Sequence, residues 1–286
     1  MYSSLSGIKK EFQQELSQLY SSREIDLVFY RIVEYVLGKS RKDLMMDENP
    51  TITEENHTLF KSCLDELMLN KPVQYIDNTA YFMDFVFYVD ESVLIPRPET
   101  EELVNWILEN HQEGELEVLD IGTGSGIISV SLANKRPSWN VMACDVSNEA
   151  LVTARRNGRE LLTISEVAFY KEDILNPKTD YPHQLDIIVS NPPYVLESDK
   201  PTMTKSVLEH EPHLALFVDD NNPLLFYEAI IKYAIQNLKT GGSLYFEVHE
   251  NLANKVADSL KSASFTNLEV RKDMQGKERM VMGVRG

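Results

Sequence analysis

Basic residues are scarce in this chain. It sets 28 Lys+Arg against 45 Asp+Glu, a formal net charge of -17 over 286 residues. Such a field repels nucleic-acid phosphates and anionic lipid, so a stable nucleic-acid or membrane-surface partner would need a local basic patch strong enough to outweigh it. No run of Lys and Arg supplies one. Residues 1–76 carry 9 Lys+Arg and 12 Asp+Glu, net -3, against -14 for the remainder, so no basic module is set apart from an acidic body. Cysteine is nearly absent: Cys63 and Cys144 stand far apart with no motif around either, which excludes a disulfide framework and a thiolate metal site. No run of 18 apolar residues occurs, and the opening MYSSLSGIKKEFQQEL lacks the apolar centre of a signal peptide. These absences predict a cytoplasmic protein of a reducing compartment, with no membrane partner and no stable nucleic-acid partner. Familiar catalytic signatures are missing as well. There is no Gly-x-Ser-x-Gly elbow and no Gly-Lys-Ser/Thr phosphate loop. His210-Glu211-Pro212-His213 fits no helical His pair, because Pro212 would break the helix, so no metal site is expected.

What is present divides into two parts. From Ser3 to about Asn70 the period is helical: Leu5, Ile8, Phe12, Leu16 and Leu19 recur at spacings of three and four, a second apolar set runs from Ile25 to Leu37, Asp47-Glu48-Asn49-Pro50 interrupts, and a third helix is predicted over Glu54–Leu69. Residues 1–70 therefore read as a small helical bundle. Lys71 to Ile76 and Ala80 to Val89 follow as two extended runs with Asp77-Asn78 between them, which predicts a β-hairpin linker over 71–92. In Val93-Leu94-Ile95-Pro96-Arg97-Pro98-Glu99-Thr100 the prolines impose an extended lead-in, and Thr100 is placed to cap the helix that begins there, with Glu101 and Glu102 in its first turn.

Residues 93–286 read as an α/β domain. Strands are predicted at Glu117–Ile121, Asn140–Asp145, Val167–Tyr170, Leu185–Val189 and Ser243–Val248, with helices between them, and two tail strands at 268–271 and 279–284 close the pattern as a hairpin. Such a succession builds a parallel sheet carrying one antiparallel strand. The first strand runs into Gly122-Thr123-Gly124-Ser125-Gly126 and then a helix, the setting in which glycines allow a ligand close to the backbone. The spacing is Gly-x-Gly-x-Gly, not that of a dinucleotide loop, which points to a nucleoside without a pyrophosphate. Asp145 ends the second strand 19 residues past Gly126, near the spacing at which an acid accepts from a ribose diol, although it could instead cap the next helix. Asp173, after the third strand, can accept from an exocyclic adenine amine or can be a turn residue.

The fourth strand delivers Ser190-Asn191-Pro192-Pro193-Tyr194. Ligands of open α/β sheets bind outside the carboxyl ends of the strands, so this tetrad is placed to hold a planar nitrogen-bearing group. An amide or aryl-amine nitrogen is a poor nucleophile because its lone pair is delocalised. Asn191's side-chain oxygen and the Pro192 carbonyl, each accepting one N–H, favour a more tetrahedral nitrogen and offset the charge developing on it. The prolines hold the direction of that carbonyl, and Tyr194 is placed to cover the acceptor's flat face. Asn191, Pro192 and Tyr194 are the candidate catalytic residues, and Asn191 to Tyr194 together the candidate acceptor site. An enzyme methylating an exocyclic amine of adenine or guanine in nucleic acid, and a nucleoside-binding regulatory protein without catalysis, share these features. A basic groove would favour the first, and an Asn191→Ala chain with unchanged output the second.

Taken together, Pro72-x-Gln74-Tyr75-Ile76, Leu94-Ile95-Pro96-Arg97-Pro98-Glu99-Thr100-Glu101, Leu119 to Gly126, Asn191-Pro192-Pro193-Tyr194 and Glu211-Pro212-x-Leu214-Ala215-Leu216 resemble the bacterial peptide chain release factor glutamine methyltransferases. The tetrad alone is shared with amino methyltransferases of nucleic acids; its combination with the Ile-Pro-Arg-Pro-Glu-Thr segment is more specific. The resemblance implies a Rossmann-like class I methyltransferase domain with a seven-stranded mixed sheet, and a first domain that docks the substrate. It implies S-adenosylmethionine as donor, released as S-adenosylhomocysteine, and as acceptor the glutamine amide of the Gly-Gly-Gln motif in class 1 release factors, in support of translation termination. Gly122, Thr123, Gly124, Ser125, Gly126, Asp145, Asp173, Ile174 and Asn191 are then the donor-binding residues. Two positions depart from the family pattern: Asn78 stands where Gly is usual, and Asn222-Pro223-Leu224 where Asp-Gly-Leu is usual. Asn tolerates the left-handed backbone better than most residues.

Overall fold

The computed structural model describes residues 4–46, 50–112, 114–179 and 185–286. The expected helix onset at Ser3 and residues 47–49 of the expected break lie outside the described residues. The chain forms two compact units, residues 1–78 with 204–210, and residues 79–203 with 211–286.

In the first unit α1 (Leu5–Leu16), α2 (Ser22–Leu37), α3 (Arg41–Met46) and α4 (Glu54–Met68) are helices. Their starts are written in the sequence. Ser21 and Glu24 form a reciprocal capping box ahead of α2, and Thr53 and Asn56 do the same ahead of α4. The apolar stripes bury Ile8, Phe12 and Leu16 against Phe29, Ile32, Val33, Phe60 and Leu64. Phe12 and Phe29 meet edge to face at 5.3 Å between centroids, a favoured arrangement for aromatic quadrupoles.

The stretch expected as the first arm of a hairpin is instead a short helix, α5 (Val73–Ile76), with Pro72 at its N-cap and the Asp77 N–H closing on the Val73 carbonyl at 3.0 Å. Arg31 forks onto the Asp77 carboxylate through Nε and a terminal nitrogen, which tethers the end of this turn to α2. Asn78 then adopts φ 54°, the left-handed conformation that the family's usual Gly would supply.

The second unit opens with a tighter hairpin, β1 (Thr79–Phe82) and β2 (Phe85–Tyr88), turning at Met83-Asp84. Met83 takes φ 52°, and its N–H is held by Glu101 Oε1 at 2.5 Å. No Gly or Asn marks this turn, so the aromatic run reads as one strand in the sequence. Helix α6 (Pro98–Asn110) begins two residues before Thr100, because Pro98 with its set φ and missing N–H suits the first helical position. Thr100 is therefore not the cap, and its hydroxyl is committed elsewhere.

From there strands and helices alternate: β3 (Glu117–Ile121), α7 (Ile127–Lys135), β4 (Asn140–Asp145), α8 (Asn148–Leu161), β5 (Val167–Lys171) and β6 (Leu185–Ser190). A small parallel pair, β7 (Val195–Leu196) with β8 (Phe217–Val218), frames the segment after the tetrad. That segment holds α9 (Lys205–His210), which belongs to the first unit, and α10 (His213–Leu216). Then come α11 (Leu225–Asn237), β9 (Leu238–Glu247), α12 (Ala253–Ser262), β10 (Phe265–Lys272) and β11 (Glu278–Arg285). The seven-stranded sheet has the order β10-β11-β9-β6-β3-β4-β5, and β11 is antiparallel to both neighbours. This is the mixed sheet expected. Alternate residues of each central strand enter opposite cores: Leu119, Ile121 and Ile188 pack with α11 and α12, whereas Val118, Ile187 and Val189 pack with α6 and α7. Both faces being covered, the ligand-accessible part of the sheet is its carboxyl edge. Among the described residues no helix is long and apolar enough to cross a membrane.

Candidate active site

Strand register gathers the site. Ser190 lies beside Phe246 on one flank and Ile121 on the other, Ile121 beside Cys144, and Asp145 beside Lys171. The next residues off those ends, Glu247, Asn191, Gly122 and Asp145, therefore stand in one row along four neighbouring parallel strands. Chain order reverses between β3 and β6, which makes this the switch-point crevice where open α/β sheets bind ligands. A cavity opens there, lined by Gly122 to Ser125, Asp145, Asp173 and Ile174 on one side and Asn191, Pro192 and Pro193 on the other.

The glycine loop is built by its own backbone. Gly122 and Thr123 N–H both donate to the Cys144 carbonyl, at 2.9 and 3.0 Å, and Gly126 N–H donates to the Thr123 carbonyl at 2.8 Å. Gly122 and Gly124 have positive φ, and a Cβ on either would meet nothing within 4 Å. That open space faces the cavity, a cradle for close backbone approach. Gly126, at φ 82°, has a different duty: its missing Cβ lets α7 approach Ala154 of α8, to which a methyl would come within 3.3 Å. The Thr123 hydroxyl donates to Asp120 Oδ2 at 2.6 Å and Ser129 N–H to the same oxygen at 3.2 Å, so Thr123 braces the loop from behind. Asp120 is wholly buried, and burial pushes its carboxyl up to about 6 against those hydrogen bonds.

Asp145 is not the helix cap. Ser147 caps α8 by accepting from Ala150 N–H at 3.1 Å, while Asp145 accepts Ser147 N–H on one oxygen and Gly124 N–H on the other, both at 2.9 Å. Burial raises its pKa from the ordinary value, with the backbone donors opposing. Asp173 lines the cavity and also closes its own turn, accepting Leu175 N–H at 3.0 Å. Asn157, a residue sequence reading passed over, is buried on α8. It exchanges hydrogen bonds with the Tyr88 backbone and donates to the Ser125 carbonyl at 2.8 Å, joining the hairpin to the loop. A polar residue at a helical core position was its only signal.

The Ile-Pro-Arg-Pro and Glu-Pro-x-Leu-Ala-Leu segments meet at one ion pair. Arg97 donates to both oxygens of Glu211 at 2.7 Å, and Ile95 N–H reaches Glu211 Oε2 at 3.4 Å. This clasp places Ile95, Arg97, Pro212 and Leu214 along the cavity wall. His210 donates to the Leu69 carbonyl at 2.9 Å, and His213 packs its ring edge-on to Phe217. Among the described residues no group of His, Cys, Asp or Glu is gathered to hold a metal.

The tetrad itself is divided. Asn191, Pro192 and Pro193 line the cavity, whereas the Tyr194 ring packs on the core beneath and its hydroxyl donates to Glu247 Oε1 at 3.1 Å. Burial and the neighbouring carboxylate raise the Tyr194 pKa, so the phenol keeps its proton.

Comparison with known proteins fits this geometry. Residues 9–76 match the model of the PrmC N-terminal domain, and residues 100–214 that of the methyltransferase small domain. A release factor glutamine methyltransferase of Flavobacterium psychrophilum is 40% identical over 97% of this chain and 98% of its own length. The chain belongs to the release factor glutamine methyltransferase family. A second such relative, from Bacteroides thetaiotaomicron, is 36% identical over 97% of this chain and 99% of its own. Among solved structures, a methyltransferase from Pyrococcus furiosus superposes on 79% of the chain and 99% of its own length with TM-score 0.52 at 18% identity. The catalytic domain of human Mettl16 covers 82% of each chain with TM-score 0.56 at 13% identity. At such identities the likeness is one of fold, and it places the methyltransferase domain in the Rossmann-like class I architecture.

Proposed function

We propose that this methyltransferase transfers a methyl group from S-adenosylmethionine to the side-chain amide nitrogen of the glutamine in the Gly-Gly-Gln motif of class 1 release factors. The observation that carries the reading is that the glycine loop with Asp145, Asp173 and Ile174, and Asn191-Pro192-Pro193, line one and the same cavity. The full-length likeness to release factor glutamine methyltransferases supports the choice of acceptor.

The residues present suit the donor. Gly122 and Gly124 leave Cβ space free, Asp145 keeps lone pairs for a ribose diol while two backbone N–H groups hold it still, and Asp173 with Ile174 can flank an adenine. When bound, the donor supplies a sulfonium methyl carbon as electrophile. The chain's own contribution is then orientation and electrostatics. Asn191 points Nδ2 at Thr100 Oγ1, 3.4 Å away, which leaves Oδ1 to accept an N–H of the incoming amide. The Pro192 carbonyl accepts the second, and the two together stabilise the positive charge that grows on nitrogen. Pro192 is buried and Pro193 half-buried, so water has little access to the face they cover. The proton leaves late, which agrees with the absence of His and Lys among the described residues lining the cavity. The helical first unit would dock the release factor. A net charge of -17 suits a basic protein face better than nucleic acid.

The test is incubation with radiolabelled donor and a release factor, followed by mass spectrometric mapping. Label on the Gly-Gly-Gln glutamine is expected, with Asn191→Ala losing turnover while still binding donor. A folded, donor-binding preparation that labels duplex DNA or ribosomal RNA and leaves that glutamine unmodified would overturn the assignment.

A further inference from the structure

The cavity wall behind Asn191 holds a buried carboxylate that no part of the proposed chemistry uses. Glu247 ends β9 with 1% exposure, one residue past Phe246, as Asn191 is one residue past Phe246's register partner Ser190. Its Oε2 accepts the Thr100 hydroxyl at 2.6 Å and its Oε1 accepts the Tyr194 hydroxyl at 3.1 Å. An ionised carboxylate can only accept, so both hydroxyl protons point at Glu247. Thr100 has one proton. With that proton spent on Glu247, the Thr100 oxygen can offer only a lone pair to Asn191, 3.4 Å away. The group of Asn191 facing Thr100 must then be its NH2, and its oxygen is the end left for the acceptor.

We propose that Thr100 and Glu247 are positioning residues for methyl transfer, a hydroxyl-carboxylate relay that sets which end of the Asn191 carboxamide meets the substrate nitrogen and, through Tyr194, anchors the far side of the same turn. The inference rests on the methyl-transfer reading. Without the relay, Asn191 is free to turn over and present two N–H donors to an amide that itself brings N–H donors, a repulsive pairing. Burial holds the Glu247 pKa above the ordinary carboxylate value and Glu99 adds to that rise, while the Thr100 and Tyr194 hydroxyls and the nearby Arg279 charge oppose it by favouring the ionised form. Arg279 is itself held by Asp273 at 3.4 Å. An acid at the carboxyl end of the fifth parallel strand has the same sequence signal as Asp145, at the end of the second.

Thr100→Val keeps the shape and removes the hydroxyl, and Glu247→Gln keeps the shape and forces an N–H on one of the two hydroxyls. For Thr100→Val the expected result is a loss of about 10-fold to 100-fold in kcat on a release factor, with KM and donor affinity within about 3-fold of the parent. Thr100→Ser should recover most of that loss. In an Asn191→Ala background, Thr100→Val should cost less than about 2-fold more, because the relay then has nothing to orient. Glu247→Gln should follow Thr100→Val, and if it fails to fold the Thr100 series decides alone. A second readout does not depend on turnover: in nitrogen-15 spectra the Asn191 side-chain NH2 protons should exchange slowly in the parent and faster in Thr100→Val. Unchanged kcat in Thr100→Val, an equal loss with and without Asn191, or NH2 exchange indifferent to Thr100 would overturn the relay. A parent chain that labels no glutamine yet shows the exchange difference would refute the functional reading while leaving the relay standing.

Discussion

Asp120 offers a test of how burial and hydrogen bonding compete in this site. Its carboxyl is fully enclosed, with Oδ2 accepting from Thr123 and Ser129 and Oδ1 paired with nothing. Burial pushes the pKa up to about 6 from the ordinary 3.8. A carboxyl whose pKa is higher folded than unfolded contributes stability below its unfolded value and loses it as pH rises through its folded value. At 1.36 kcal/mol per tenfold change, ionising Asp120 costs the folded chain about 3 kcal/mol by pH 7. Asp120→Asn keeps an oxygen for Thr123 and Ser129 and removes the charge. Its amide N–H, where Oδ1 now lies unpaired, costs about 1–3 kcal/mol at every pH. The assay is urea unfolding of parent and variant from pH 4 to pH 8. The stability of Asp120→Asn minus that of the parent should rise by about 2–2.5 kcal/mol across pH 4–7, the rest of the 3 kcal/mol falling below pH 4, and then level off. Subtraction removes most of the contribution of other carboxyls, Asp145 and Glu247 included, since both chains carry them. A difference flat across that range would show that Asp120 ionises normally, and that the loop's polar atoms solvate it fully.

Other outcomes follow from the same packing. Gly126→Ala should destabilise by about 2–4 kcal/mol in thermal or urea melts, combining left-handed backbone strain with contacts at 3.3 Å to Ala154 and Val130. Gly124→Ala, with open space around the added methyl, should cost about 1–2 kcal/mol of backbone strain and should weaken donor binding by calorimetry out of proportion to that loss. Glu211→Gln should cost about 1.5–3 kcal/mol, toward the lower end because Arg97 is 32% exposed and can turn to water, and should weaken donor binding as the cavity wall loosens. Unchanged stability and donor affinity would deny the clasp its role. Cys63 and Cys144 are buried, with thiols pushed up to about 12 chiefly by burial, so iodoacetamide at pH 8 should label neither in the native chain and both in urea.

Local chemistry made some elements legible in the sequence. The apolar set from Ile25 to Leu37 and the run over Glu54–Leu69 announce α2 and α4, the Gly-x-Gly-x-Gly turn announces the strand-to-helix crossover at β3, and Asn78 holds the left-handed turn that its residue type permits. Other elements deceived. Lys71 to Ile76 reads as extended but closes into a helical turn, because burial of Tyr75 and Ile76 and the Arg31 fork on Asp77 outweigh local preference. The hairpin turn falls on Met83, where the Glu101 carboxylate supplies from a distant helix what a turn residue would ordinarily supply locally.

The sequence by itself determined the classes of residue at the strand ends and the order in which they arrive, since periodicity, turn chemistry and motif spacing are carried by neighbours in the chain. Its charge and cysteine usage also set expectations about partners, because both are carried by composition alone. Only the tertiary structure decided which of those ends become neighbours. Parallel register sets Glu247, Asn191, Gly122 and Asp145 in one row although they span 126 positions of the chain, and Thr100 joins them from the first turn of α6. Hydrogen bonds across such separations leave no trace in local pattern, because the partner is chosen by the sheet and not by the residues beside it. That is why Arg97, unexplained by its flanking prolines, finds its purpose on Glu211, and why the orientation of Asn191 depends on a carboxylate 56 residues away.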